Sequence, residues 1–507
     1  MKGVVAAGHP LTVEAGADVL REGGNAVDAA VAAVLMSFAA ESPLTGPGAG
    51  GFMLVHTAHG ENHLLDFFVA APGRGLDGAQ PAALTPIDVR FADEAVQRFN
   101  VGPSSCGVPG TPAGLHEALG RFGTLSLADV TERPARAARE GIEVTPMQAF
   151  LFGVLAPIFD STPEARELYF PRGELLRAGE LIRLPALGDL LERLGAEGPG
   201  FLYRGDTAAA VSSWLLERGG LVTAEDLATY AVVERVPARV VYHGREVLTN
   251  PPPSSGGILI ADALGILERL ERPDDVAVVA EVIASTNRAR DESFVEGLAS
   301  EGYLERFLAA DALDGVATEV RSRLGSTTHV AVMDEEGRCA SVTCSNGSCS
   351  GVVVPGTGMH LNNMLGEQDL NPRGYHRYPP GTRVPSMMAP TVVLRDGRAE
   401  VALGSAGSNR IRSAIVQTVL GVVDLGLTAQ EAVERPRIHV EGDEVEAEPG
   451  TDPEALDRLE ASGWRVRRWS ERNLYFGGVQ AVARELDTGA LTGGGDPRRG
   501  GCATVVG

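Results

Sequence analysis

Thr327, Thr328 and His329 stand between Leu324-Gly325-Ser326 and the apolar run Val330-Ala331-Val332-Met333. A threonine hydroxyl is a weak nucleophile until a base lies against it, and the nearest base it can have is its own α-amine. That amine exists only if the bond between Ser326 and Thr327 is cut. The tripeptide is therefore either the head of a self-made catalytic N-terminus or an ordinary strand opening, since threonine and valine suit a pleated, half-buried surface. No HExxH sequence or Cys/His cluster is found. The cysteines Cys106, Cys339, Cys344, Cys349 and Cys502 form no CxxC pair, which points to small buried residues in a reducing compartment. No metal and no cofactor is expected.

The elements that must carry these residues follow from spacing. Helix formers from Pro10 to Arg21 stop at Gly23-Gly24, and Asn25 suits the N-cap of a helix from Ala26 to Phe38, apolar on nearly every side and so expected to be buried. A glycine-rich loop, 42–51, leads into strands at Phe52–Thr57 and His63–Phe68; it lacks the GxGxxG order of a dinucleotide loop. Residues 110–240 read as mainly helical scaffold, and a further helix, Ile258 to Leu270, follows the prolines 251–253. Residues 313–326 lose apolar periodicity, as an exposed approach to Thr327 does. Beyond it come strand pairs, 328–333 with 339–344 and 388–394 with 400–403, then helices over 412–425 and 428–435.

At 507 residues the chain has ample material for a large core. Its net charge of -23 would repel phosphate backbones and anionic lipid, which argues against nucleic acid as a partner. The opening apolar stretch is too short for a secretory segment and no 18-residue apolar span follows, so no membrane partner and a cytoplasmic location are expected.

Seven segments together resemble the γ-glutamyltranspeptidase family of N-terminal-nucleophile hydrolases. They are Gly24-Asn25-Ala26-Val27-Asp28-Ala29-Ala30, Gly50-Gly51-Phe52-Met53-Leu54, Val108-Pro109-Gly110-Thr111-Pro112-Ala113-Gly114, Pro251-Pro252-Pro253-Ser254-Ser255-Gly256-Gly257, Thr327-Thr328-His329, Leu361-Asn362-Asn363-Met364 and Gly404-Ser405-Ala406-Gly407. The resemblance implies an α/β (α+β) fold, a four-layer αββα sandwich, made by a precursor that cuts itself before Thr327. A larger, helix-rich subunit of residues 1–326 would then stay with a smaller, strand-rich one of 327–507, with assembly into a higher oligomer left open. It further implies Thr327 as nucleophile and Ser345, eighteen positions on, as the hydroxyl that orients it. Asn346 would contact substrate, and the backbone amides of Gly407 and Ser408 would form the oxyanion hole, in place of a family Gly-Gly pair.

Several positions depart from the family. Phe68 stands in Asp66-Phe67-Phe68-Val69 where the family has a carboxylate-binding arginine; Ser386 is kept but Met387 replaces a second serine; and Glu367 replaces an aspartate that would hold an ammonium group. A guanidinium fork matches a carboxylate in a way phenylalanine cannot. Unless Arg373, Arg377 or Arg383 reaches in, this site should accept a cationic or neutral head group more readily than an α-carboxylate. The expected function is hydrolysis or transfer of an acyl group, γ-glutamyl or related, from a small-molecule amide through an acyl-Thr327 intermediate. An acylase or carbon–carbon hydrolase of the same family with another substrate, and an unprocessed binding protein, remain as alternatives.

Overall fold

The computed structural model describes residues 2–76, 78, 80–92, 95–270, 272–290, 292–298, 300, 302–308 and 327–507. Ser326 and the segment leading to it lie outside these. Two antiparallel sheets face each other. The strands of the first are β1 (Gly3–Ala7), β2 (Gly50–His56), β3 (Asn62–Phe67) and β4 (Val233–Arg235), joined by β7 (Thr328–Asp334), β8 (Cys339–Ser345) and β13 (Cys502–Val506). The second holds β5 (Ala238–Tyr242), β6 (Arg245–Thr249), β9 (Thr391–Arg395), β10 (Arg398–Ala406), β11 (Gly478–Arg484) and β12 (Leu491–Gly495). Their orders are β13-β1-β7-β8-β2-β3-β4 and β12-β11-β10-β9-β6-β5. Both sheets thus mix strands from before and after Thr327. Strand β9 starts at Thr391 rather than at the expected Met388, because Pro390 has no N–H to give a ladder.

Helices α1 (Pro10–Arg21) and α2 (Ala26–Ala40) cover the first sheet, while α4 (Ser255–Leu267) and α5 (Arg410–Val423) cover the second, giving the αββα stack. The side-chain alternation of β7 divides its residues between two cores: Val330 and Val332 pack toward α2, Ala331 and Met333 between the sheets. All fifteen residues of α2 are buried, as its sequence requires. The helix is pinned to β7 at both ends. Asp334 accepts from the Ala26 amide at 3.1 Å, and at the other end Thr328 Oγ1 bonds the Glu41 carboxyl. The lengths match: six strand steps span about 20 Å and fifteen helical ones about 22 Å. Another helix, α3 (Pro146–Phe159), starts from the Thr145 cap beside this end of β7. Among the described residues no helix is long and apolar enough to cross a membrane.

The turn before β13 is held by a buried ionic cluster. Arg498 donates to Glu448 at 2.7 Å, to Asp496 at 3.1 Å and to the carbonyls of Val433 and Arg435, while Arg437 pairs with Asp496 at 2.8 Å. Removing one partner of such a cluster leaves charge stranded away from water. Arg498→Ala should therefore cost ~3–5 kcal/mol of stability, read from the midpoint shift in chemical denaturation; a change below 1 kcal/mol would contradict this account.

Candidate active site

Thr327 immediately precedes β7, and the hairpin register decides what it meets. Thr328 pairs with Cys344 and Met333 with Cys339, so continuing the ladder by one step sets Thr327 opposite Ser345. Thr327 Oγ1 donates to Ser345 Oγ at 3.2 Å, and the Ser345 oxygen also accepts the Gly347 amide at 2.8 Å. Thr327 is 5% exposed. Period-2 alternation turns Thr327 and His329 toward the second sheet and Thr328 toward the helices. His329 Nδ1 shares a hydrogen bond with Thr343 Oγ1 at 2.8 Å, and burial lowers its imidazole to about 3, so the ring is neutral at ordinary pH. Glu41, which also accepts from Thr12 at 2.8 Å, has its carboxyl pushed up by burial, with the hydroxyls of Thr328 and Thr12 opposing.

From Ser345 a chain of contacts runs to the other expected residues. Ser348 donates its amide to Glu367 at 3.1 Å, and burial, reinforced by Asp369, raises the Glu367 carboxyl to about 8. Ser408 Oγ donates to Asp369 at 3.3 Å. Gly407 and Ser408 form the turn from β10 to α5 with φ of 124° and 54°. A side chain at Gly407 would bring its Cβ to 2.9 Å from Gly477 Cα, so the turn requires glycine there. Among the described residues, the two amides of this turn have no hydrogen-bond partner. Asn346 is buried and its Nδ2 donates to the Pro43 carbonyl at 3.2 Å, while its Oδ1 has no partner among the described residues.

Other expected positions lie elsewhere. Phe68, 1% exposed, stacks on Phe52 with centroids 5.4 Å apart, and Met387 packs in the same inter-sheet core; neither lines the cavity at Thr327. Ser386 Oγ accepts the Met388 amide at 3.0 Å and so serves its own loop. Arg383 is tied to Asp66 at 3.3 Å and stacks on Tyr230, Arg373 pairs with Glu296 at 3.7 Å, and Arg377 is exposed, so none of the three enters the cavity.

That cavity, about 410 Å3, is bordered by Thr327, Thr328 and Ala406 and walled by Leu44, Met147 and Phe152. Glu41, His9, Gln480 and Arg499 also line it. Sequence reasoning missed this group, because only tertiary contact brings these residues to β7. Among the described residues no group of His, Cys, Asp and Glu side chains could hold a metal ion.

Two facing sheets with a threonine at the head of a central strand, hydrogen-bonded to a serine hydroxyl on the neighbouring strand, define the N-terminal-nucleophile hydrolase type of fold. The crystal structure of cephalosporin acylase from Bacillus halodurans superposes with a TM-score of 0.81 at 26% identity, covering 99% of this chain and 95% of that one. The chain belongs to the gamma-glutamyltranspeptidase family, whose model matches residues 12–506. Acylase ACY 1 proenzyme of Pseudomonas sp. (strain V22) is 34% identical over 97% of this chain and 91% of its own length. Glutathione hydrolase proenzyme of Escherichia coli (strain K12) is 31% identical over 98% and 90%. Family membership makes the chain an enzyme of the hydrolase or acyltransferase kind.

The Glu367 environment has a measurable consequence. A carboxyl whose folded value lies above its unfolded one adds stability at low pH, and that stability is lost as pH rises through the folded value. Between about pH 5 and 8 the wild type should lose Tm relative to Glu367→Gln. Parallel Tm-versus-pH curves for the two proteins would show that the carboxyl is not held in this way.

Proposed function

We propose that this protein is a self-processing amidase whose nucleophile is Thr327. In the precursor, the Thr327 hydroxyl attacks the Ser326 carbonyl, the C–N bond breaks as the amine takes the hydroxyl proton, and water opens the resulting ester. The products are subunits 1–326 and 327–507, which stay together because strands of both fill each sheet. Both curated relatives described above are named as proenzymes, in keeping with this step.

In turnover the freed α-amine accepts the hydroxyl proton as the Thr327 oxygen adds to a substrate amide carbonyl. The Gly407 and Ser408 amides, without a hydrogen-bond partner among the described residues, suit the developing oxyanion. The intermediate collapses with departure of the amine, which takes the proton back from the α-ammonium. Water, or an acceptor amine, then releases the acyl group from its ester. The observation that carries this reading is the 3.2 Å hydrogen bond from Thr327 to Ser345 at the edge of the cavity.

Phe68 favours an acyl group other than γ-glutamyl, since its ring is spent on inter-sheet packing and offers no charge to an α-carboxylate. The similarity to proteins named acylases is in keeping with this.

On a denaturing gel the wild type should run as two bands, with the smaller fragment beginning at Thr327 by mass spectrometry, and Thr327→Ala should run as one inactive chain. Fragments persisting in Thr327→Ala would assign the cut to another agent. Ser345→Ala should lower kcat by about tenfold, the worth of one orienting hydrogen bond, with the fold retained by circular dichroism. Glutathione should be turned over at least about tenfold less efficiently than the best donor from a panel of other acyl amides, reflecting the lost charged contact; equal efficiency would restore the γ-glutamyl reading.

A further inference from the structure

Arg499 lines the cavity that Thr327 borders, yet it has none of the partners that hold Arg498 beside it. Its side chain is packed on Gly478, where an added Cβ would fall 2.3 Å from Arg499 Cδ, so the main chain of β11 leaves a bed for the stem. The residue is 8% exposed. Among the described residues no carboxylate lies within ion-pairing distance of the guanidinium, and its Nε has no hydrogen-bond partner. Asp496 is engaged by Arg437 and Arg498, and Glu41 by the hydroxyls of Thr12 and Thr328, so both act on Arg499 only through space. A buried cation without a counter-ion is costly, and such groups in natural proteins have a partner.

His9 points the same way. It is 4% exposed, its Nδ1 accepts the Leu11 amide at 3.1 Å as the cap of α1, and its Nε2 makes no close hydrogen bond among the described residues, the Gln148 side chain being the group that acts on the ring. With Nδ1 accepting, the proton of the neutral ring is on Nε2, which makes that atom a second donor in the cavity wall, beside the Gln148 side chain. The rest of the wall includes Pro43, Leu44, Met147, Leu151 and Phe152. An apolar chamber with a cation and a neutral N–H donor matches a ligand with a hydrocarbon body and an anionic end.

We propose that the Arg499 and His9 side chains form a carboxylate subsite, so that the substrate amide bears a carboxylate in addition to its scissile bond. This deepens the acyl-Thr327 reading and rests on it for the reaction, though not for the binding. The carboxylate can belong to the acyl part, as in a dicarboxylic monoamide, or to the leaving amine, as in an N-acyl amino acid. Either would supply the charge that Arg499 lacks. The subsite also changes the expectation drawn from Phe68: loss of the family arginine removes one anchor, while Arg499 offers another from a different element.

The test compares three donors on the wild-type protein: glutaryl p-nitroanilide, neutral pentanoyl p-nitroanilide, and pentanoyl p-aminobenzoate, whose carboxylate leaves with the amine. One carboxylate-bearing donor should exceed the neutral one in kcat/KM by at least about tenfold, mainly through KM, and Arg499→Gln should abolish that preference while Arg499→Lys keeps part of it. The preferred arm identifies the source of the carboxylate. Equal use of all three donors, or a preference that survives in Arg499→Gln, would overturn the subsite. Calorimetric titration of the wild type with free glutarate and with pentanamide needs no nucleophile and no variant: glutarate binding without pentanamide binding is expected. Glutarate binding with no turnover of any amide would refute the acyl-Thr327 reaction and leave the subsite standing. Turnover of the neutral donor with neither carboxylate preference nor glutarate binding would do the reverse.

Discussion

The ladder register between β7 and β8 is the constraint on which the site depends. A strand has only two faces, and slipping this pair by one residue would exchange them, sending Thr327 to the helical layer and Thr328 into the space between the sheets. Two independent devices oppose that slip. One is the turn at Asp334, whose carboxylate accepts the Glu336 and Arg338 amides and also reaches the first amide of α2. The other is Glu41 at the far end of α2, bonded to Thr328. The helix therefore acts as a gauge laid along the strand, and its length agrees with the strand's only when Thr327 faces Ser345.

Around that strand, burial decides which polar groups carry charge. His329 is held neutral, and the carboxyls of Glu41 and Glu367 are each biased toward the protonated form, in all three cases chiefly by loss of water. The threonine thus stands among hydrogen-bonding groups whose charge burial suppresses. Such an environment favours a weak base in its unprotonated form, which an α-amine needs to be if it is to take a proton. Arg499 contrasts with these groups: burial lowers its guanidinium only to about 10, so it stays cationic beside them.

Local signals in the sequence reported local structure well. Asn25 caps α2 with a reciprocal bond to Asp28, Pro10 opens α1, and Asp334-Glu335-Glu336-Gly337 closes the hairpin, each through contacts a few residues apart. What could not be read was membership in a sheet. Gly3–Ala7, which resembles only a short apolar start, is an interior strand between β7 and β13, because the first sheet needs a fully apolar strand there. The site divides in the same way. The Thr327–Ser345 pairing follows from a hairpin, whereas the stacking of Phe68 on Phe52 between the sheets comes only from tertiary packing. Arg498 and Arg499 adjoin in sequence, and only their distant neighbours make one a structural ion and leave the other facing a cavity.

Strands from both sides of Thr327 contribute to both sheets, so neither side contains a complete layer of its own. If the backbone is cut there, the native state is reached by one continuous chain but must be regained, once lost, by two. Folding before the cut is independent of concentration, while recovery after it is a second-order encounter between two fragments with exposed cores. Maturation in that case makes the fold a one-way product, and its lifetime is then governed by the rate of unfolding rather than by an equilibrium with the unfolded chain.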